Sequence, residues 1–261
     1  MFTFSFLRSV CCIALFSLFN FAYADTSVME DRENTLIMGA DSWPPFRFIN
    51  GSEVSGIDNE LLKKLAKRMG FKVQYQLCPW KRCLKMMENG QIDGMSGLAW
   101  RKERAEYITY TAPSYYQCST QFYLPKGQAR LISKHRDLHS MNIGIVSGSA
   151  YYEAFDRDSD INKQSVTQEA VLPDLLLNKR IDAFIGTDCQ ADYELQLRGL
   201  SEAVTKATFK PGNSVDLYLG LSSKSRWVER KAEFNKALWE IREEQFHENA
   251  LDLISSSPNP Q

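Results

Sequence analysis

The chain has 261 residues, 44% of them hydrophobic, with 31 Lys and Arg set against 32 Asp and Glu for a net charge of −1. This balance, without any basic block, argues against a nucleic-acid partner, and the length allows one large core or two modest ones. Beyond the N-terminal stretch no segment is apolar enough to span a bilayer, which takes about 20 residues.

The N-terminus reads as an export signal. Arg8 is the only charge before Asp25, Ser9 to Phe21 is almost unbroken apolar, and Ala22-Tyr23-Ala24 is a small-x-small cleavage site. The sequence predicts a signal peptide over residues 1–24, a mature protein beginning at Asp25, and a periplasmic location. Cys11 and Cys12 leave with the signal. Cys78, Cys83, Cys118 and Cys189 remain, an even set in an exported chain, which favours disulfides. Cys78 and Cys83 are close enough to close a small loop around Pro79-Trp80-Lys81-Arg82, and Cys118 with Cys189 is then the other pair.

Thr35 to Ala40 reads as a buried strand. Asp41 to Phe46 follows as a rigid loop, because Pro44 and Pro45 deny it a ladder or a helix interior. Asp58 is placed to cap a helix whose apolar face is Leu61, Leu62, Leu65, Ala66 and Met69, and Gly70 ends it. A strand over Phe71 to Leu77, a helix over Trp80 to Glu88, and short strands at Ile92 to Met95 and Tyr107 to Thr111 come next. Ser114 to Leu124 is extended and aromatic. The strand–helix rhythm then restarts, with strands at Asn142 to Val146, Gln164 to Thr167 and Ile181 to Gly186. Helices are expected at Ala150 to Phe155, Pro173 to Asn178 and Ala191 to Arg198. Strands at Ala203 to Phe209 and Val215 to Leu221 precede amphipathic helices at Trp227 to Glu243 and Phe246 to Ile254, and a polar tail closes the chain.

Gln91 to Arg104 is the chemically suggestive stretch. A buried strand runs into the small residues Ser96 and Gly97, whose bare amides suit a crevice at the carboxyl end of a strand. Arg104 follows with a fork suited to a carboxylate. The same residues also read as an ordinary strand–loop–helix with a surface arginine. A second cue is an internal echo. Leu84 to Met95 and Leu175 to Ile185 both read helix, turn, then Ile-Asp and a buried strand, about ninety residues apart. Strands alternating with helices imply a parallel sheet, and two copies of the unit suggest two α/β lobes with a ligand cleft between them.

Taken in order, Trp43-Pro44-Pro45-Phe46, Gly56-Ile57-Asp58, Pro79-Trp80-Lys81-Arg82, Asn89-Gly90-Gln91-Ile92-Asp93-Gly94, Lys102-Glu103-Arg104, Gly148-Ser149 and Arg180-Ile181-Asp182-Ala183-Phe184 resemble the periplasmic solute-binding proteins of family 3, the amino-acid-type binders that serve ABC importers. The resemblance covers about Thr35 to Ile254. It implies the type II periplasmic-binding fold, with lobe 1 over 25–117 and 217–261, lobe 2 over 118–216, and two crossing strands. By position, Trp43 and Trp80 match the aromatics that pack on the ligand, and Arg104 matches the grip on its carboxylate. Ser96, Gly97 and Ala99 fall in the segment that bonds the carboxylate, and Ser149 matches the Ser/Thr at a helix N-terminus of the second lobe. Asp188, or its neighbour Thr187, falls where the family places an acid for the amine, and Asp41 where binders of basic amino acids place another. Ala99, Trp100 and Arg101 depart from the usual pattern before the arginine. The implied partners are a small carboxylate-bearing solute and a membrane permease; the expected state is a monomer with no cofactor.

Two rival functions share the scaffold: a dehydratase-like enzyme, for which Glu153 or Asp188 would be the general acid or base, and a sensor that presents its ligand to a receptor. His135 and His139 lie four apart, but His247 is distant and the sequence shows no acidic partner for a metal site.

Overall fold

The computed structural model describes residues 34–212, 214–244 and 246. The expected signal peptide, the polar tail, His247 and all but the first residue of the last expected helix lie outside them.

The first lobe starts with β1 (Thr35–Ala40), the hairpin β2 (Phe48–Asn50) and β3 (Glu53–Ser55), and helix α1 (Ile57–Met69). It continues with β4 (Lys72–Leu77), α2 (Trp80–Asn89), β5 (Gly94–Ala99), α3 (Lys102–Ala105) and β6 (Ile108–Tyr110). The long strand β7 (Tyr116–Pro125) leads into the second lobe: β8 (Asn142–Val146), α4 (Glu153–Arg157), β9 (Asn162–Val166), α5 (Leu172–Leu177), β10 (Ala183–Thr187), α6 (Asp188–Leu197) and β11 (Val204–Lys206). Strand β12 (Ser214–Ser222) returns to the first lobe, where α7 (Lys231–Glu243) packs on α1.

The strand order is β4-β1-β5-β12-β7-β10-β8-β9. Each lobe repeats one plan. In the first, β4, β1 and β5 are parallel and β12 is antiparallel to β5; in the second, β9, β8 and β10 are parallel and β7 is antiparallel to β10. Strand β7 joins the two halves. Residues 116–119 pair with β12, and 120–123 pair with β10. This is the two-lobed α/β architecture the sequence implies.

The inner parallel strands β1, β5, β8 and β10 are buried on both faces and correspondingly apolar, while the edge strands β4 and β9 are partly exposed and carry polar residues. On one face of the first lobe, Leu61, Leu62 and Leu65 of α1 meet Leu36 and Met38 of β1 and Phe234 and Leu238 of α7. On the other face, Cys83 and Met87 of α2 meet Met95 and Leu98 of β5. In the second lobe, Ile143, Ile185, Phe122 and Phe155 form one core and Tyr123, Phe184, Leu172 and Leu176 the other.

Both expected disulfides are formed, with Cα–Cα distances of 5.5 Å for Cys78–Cys83 and 5.6 Å for Cys118–Cys189. Two local expectations are corrected. The N-cap of α1 is Gly56, and Asp58 makes no cap because its carboxylate is committed to a buried ionic cluster. Ser96 and Gly97 lie inside β5, not in a turn after it, at a register shift opposite Tyr218 to Gly220 of β12.

Candidate functional site

The floor of the interlobe cleft is built around Arg47. It is 3% exposed and held by two acids: Nη2 donates to Asp41 Oδ1 at 2.7 Å, and Nη1 donates to Asp58 Oδ2. Asp58 also accepts from Ser96 Oγ and from the Tyr115 hydroxyl, both at 2.6 Å. Burial by itself would lower the pKa of Arg47, and the charges of Asp41 and Asp58 more than offset this, so the guanidinium stays charged. The cluster fixes the Asp41 loop against β5. Gly97 sits beneath it with φ of 74°, and a Cβ there would lie 3.0 Å from the Trp43 ring and 3.1 Å from Arg47 Nη1. Only glycine satisfies both the backbone and the contact.

Of the nine residues expected at the ligand, Asp41, Trp43, Trp80, Gly97, Ala99, Arg104 and Ser149 line one enclosed cleft. Its volume is about 80 Å³, small beside the roughly 300–1,000 Å³ of sites for drug-sized ligands, so the lobes stand nearly shut. A wider mouth of about 850 Å³ opens on the outer side of Ala99, Arg104 and Ser149. Ser96 does not line the inner cleft, because its hydroxyl is spent on Asp58. Asp188 does not line it either. That residue opens α6, and its carboxylate accepts from the Ser119 amide at 2.7 Å where β7 changes partners. Thr187 is the one of the two that lines the cleft, and its Oγ1 is buried without a hydrogen-bond partner.

Arg104 is 7% exposed, with its guanidinium 5.6 Å from the Trp80 ring centroid. It donates from Nη2 to Gly148 O at 3.0 Å and from Nη1 to Ala99 O at 3.3 Å. Among the described residues no carboxylate lies within ion-pair distance of it. Burial holds its pKa below the ordinary arginine value. Trp80 opens α2, the helix expected over Trp80 to Glu88, with its ring buried, and its indole N–H donates across the cleft to Gly148 O at 3.3 Å. Trp43 stacks on Phe46 with centroids 4.4 Å apart. Ser149 follows β8 in a turn and donates its N–H to Val146 O, while α4 starts only at Glu153 with Tyr152 as N-cap. The expected helix N-terminus is therefore not at Ser149.

Glu169 has no signal in the sequence. It lies in the 3-10 turn Glu169–Val171 before α5 and lines the cleft opposite the Asp41 loop. Its Oε2 accepts from the Trp43 indole N–H at 3.1 Å, and its Oε1 is buried with no partner. Burial, with the charges of Asp41 and Glu194, pushes its pKa up to about 8 against the pull of the Trp43 hydrogen bond.

A family model for bacterial extracellular solute-binding proteins, family 3, matches residues 36–252. The chain belongs to this family. Relatives of the family-3 protein include the probable amino-acid-binding protein YxeM of Bacillus subtilis, 28% identical over 67% of this chain and 67% of that one. A probable histidine-binding protein of Campylobacter jejuni is 24% identical over 66% of this chain and 70% of its own length. Among solved structures, the amino acid ABC transporter substrate-binding protein AbpA of Streptococcus pneumoniae, bound to L-arginine, superposes with a TM-score of 0.73 at 18% identity over 85% of this chain and 95% of that one. A histidine kinase sensor domain with similarity to periplasmic binding proteins gives 0.74 at 18% identity, covering 87% and 98%. At such identities the likeness concerns the fold alone.

Neither acid considered for an enzymatic role faces the inner cleft of this family-3 protein: Glu153 is exposed and paired with Arg157 at 2.7 Å, and Asp188 is bonded as above. The histidine pair does have an acidic neighbour, contrary to the sequence reading. Asp158 Oδ2 meets Nε2 of both His135 and His139 at 2.9 Å, and the two imidazoles hold its carboxyl below the usual range. His135 Nδ1 meets the Tyr152 hydroxyl at 2.8 Å, so hydrogen bonds account for these groups. No helix among the described residues is long and apolar enough to cross a membrane.

Proposed function

We propose that this family-3 protein binds an amino acid or a closely similar small carboxylate in the interlobe cleft and delivers it to the permease of an ABC importer. It acts in the periplasm after cleavage before Asp25, as a monomer that performs no chemistry on its cargo. Its ligand is clasped between lobe 1 (25–117 and 217–261) and lobe 2 (118–216). The observation that carries this reading is Arg104. A buried guanidinium with only carbonyl acceptors and no carboxylate partner among the described residues is costly unless an anion arrives. The ligand carboxylate is that anion, with Trp80 stacked on the guanidinium and Ser149 beside it. Thr187 replaces Asp188 in the ligand shell, and Ser96 acts through Asp58.

A thermal-shift screen of the mature protein against amino acids, peptides and small carboxylates should find a stabilising ligand, recovered chemically unchanged after release. Calorimetry on Arg104→Ala should then show affinity reduced by roughly 30-fold or more, since losing one member of a buried charge pair costs about 2–5 kcal/mol. Arg104→Lys should recover only part of it, because an ammonium lacks the fork. Unchanged affinity in Arg104→Ala, with an unchanged melting curve, would remove the carboxylate from this end of the cleft.

A further inference from the structure

We propose that Glu169, with Thr187 beside it and Asp41 across the cleft, is the receptor for a cationic group of the solute, an ammonium or a guanidinium. The inference rests on the carboxylate reading of Arg104 and extends it to the opposite end of the same cleft. The acid expected from the sequence for this task, Asp188, is spent on the Ser119 amide. Its neighbour in the cleft is the neutral Thr187. The second lobe therefore offers no acid at the expected place and one at an unexpected place.

Three observations point to a cation at Glu169. First, its Oε1 is buried and has no hydrogen-bond partner, and the same holds for Thr187 Oγ1 on the same wall. A buried carboxyl oxygen without a partner is costly, and both residues line the cleft from which a ligand group would reach them. Second, Oε1 lies 2.5 Å from where a Cβ on Gly186 would be, so the carboxylate is seated against bare backbone that only glycine leaves open. Third, no cation of the protein answers it. Among the described residues no Lys, Arg or His lies within ion-pair distance of Glu169, and the two guanidiniums of the cleft are otherwise placed. Arg47 is held by Asp41 and Asp58, and Arg104 contacts Gly148 and Ala99.

Charge pairing then sets the class of solute. With a ligand carboxylate on Arg104 and Arg47 shared by Asp41 and Asp58, the cleft keeps one negative charge from that aspartate pair and one from Glu169 when ionised. Two cationic groups on the solute balance both. The order of preference is a carboxylate with two cationic groups, then one with a single ammonium, then one with none.

The groups facing Glu169 are the Trp43 N–H and Asp41 from the first lobe, Glu194 from α6, Tyr151 from the turn before α4 and Tyr123 from β7. None is a cation, which agrees with a carboxyl pushed up to about 8 in the empty cleft. At neutral pH that carboxyl holds its proton, and a ligand cation displaces it. Binding of a cationic solute therefore releases a proton.

The six-carbon series L-lysine, L-norleucine and hexanoate tests this by calorimetry, with lysine also measured in buffers of different ionisation heat and at pH 6, 7 and 8. Lysine should bind tightest and hexanoate weakest. Lysine should release close to one proton at pH 7, and its affinity should rise with pH. Glu169→Gln should weaken lysine by about tenfold or more, as expected for a lost charged hydrogen bond, while abolishing the proton release and leaving hexanoate unchanged. Equal binding of the three probes to the wild type, failure of all three to bind, or wild-type lysine affinity in Glu169→Gln would each overturn the proposal. The wild-type series needs no variant, so a folding defect in Glu169→Gln does not rescue it. Arg104→Ala separates the two ends: if it loses all three probes while Glu169→Gln loses none, the carboxylate reading stands and the cation receptor falls. If Arg104→Ala binds lysine as the wild type does and Glu169→Gln does not, the carboxylate reading falls and the acid end stands.

Discussion

The guanidinium of Arg47 and the Oε1 of the half-buried Glu169 are both out of solvent at the same cleft, and their neighbours treat them oppositely. Arg47 has two carboxylates within bonding distance, so its burial is compensated and its charge is kept. Glu169 has one indole N–H and nearby negative charge, so its burial is uncompensated. The consequence for stability has a definite sign. The carboxyl of Glu169 has an ordinary pKa of 4.5 and is pushed up to about 8 in the folded, empty protein. The folded chain thus keeps a proton that the unfolded chain releases once pH passes 4.5. Stability is greatest with respect to this group below pH 4.5, and it declines through the window up to 8 by as much as about 1.4 kcal/mol per pH unit. Asp156 and Glu194 are raised by burial in the same direction and add to the slope. Urea unfolding of ligand-free protein between pH 5 and 8 should therefore show a steeper decline for wild type than for Glu169→Gln, with the variant the more stable at pH 8. Parallel curves for the two proteins would contradict the burial of this carboxyl. The sequence makes Arg104, Trp80 and Asp41 legible because each sits in a run with its own local grammar. It hides Glu169 and Arg47 because nothing local marks them: Glu169 matters only once the fold carries a 3-10 turn to within 3.1 Å of a tryptophan 126 positions away.

The echo read between Leu84 to Met95 and Leu175 to Ile185 is a repeated piece of hydrogen bonding. Asp93 donates its N–H to Ile37 O and accepts the Ile37 N–H on its carboxylate at 2.8 Å. Asp182 does the same with Asn142, accepting at 2.7 Å. In both lobes the aspartate ahead of a strand locks the neighbouring parallel strand at the required register. That is why the Ile-Asp pair is legible, whereas the β5 boundary is not: the Ser96-Gly97 bulge depends on β12, more than a hundred residues on. The disulfides belong to this scale as well. Cys78–Cys83 spans 5 positions at the start of α2, while Cys118–Cys189 spans 71 and fastens β7 to α6 beside the Asp188–Ser119 bond. Loop-closure entropy assigns about 2 kcal/mol to the short ring and about 4 kcal/mol to the long one. Replacing each pair by alanines and measuring denaturant midpoints should give the larger loss for Cys118→Ala with Cys189→Ala. An equal or reversed loss would show that the second bridge is not a main anchor of the β7–α6 junction.

On the scale of the whole molecule, the question is how firmly the two lobes hold each other without ligand. The polar contacts across the cleft include Trp43 to Glu169, Trp80 and Arg104 to Gly148, and Arg101 to the Tyr151 carbonyl. The ion pairs Arg101–Asp156 at 3.9 Å and Arg157–Glu103 at 3.8 Å are long, and the second is fully on the surface. Intramolecular hydrogen bonds contribute about 1 kcal/mol each and surface ion pairs less, so closure is favoured by only a few kcal/mol before the ordering cost and the uncompensated Glu169 and Arg104 are set against it. Those two groups gain from water in an open cleft and from a ligand in a closed one. The empty protein should therefore open about β7 and β12, whose mutual ladder ends where Ser119 gives way to Thr120. A ligand that neutralises both groups should close it, and a shift from mostly open to mostly closed requires a preference of about 10⁴ for the closed state, near 5.5 kcal/mol, within reach of two buried charge pairs. Small-angle scattering should show a smaller radius of gyration with saturating ligand than without, and Arg104→Ala should blunt that compaction at ligand concentrations that saturate the wild type. Identical curves for the empty and saturated wild type would mean that the two crossing strands are a rigid joint, and that the cleft takes its ligand without closing on it.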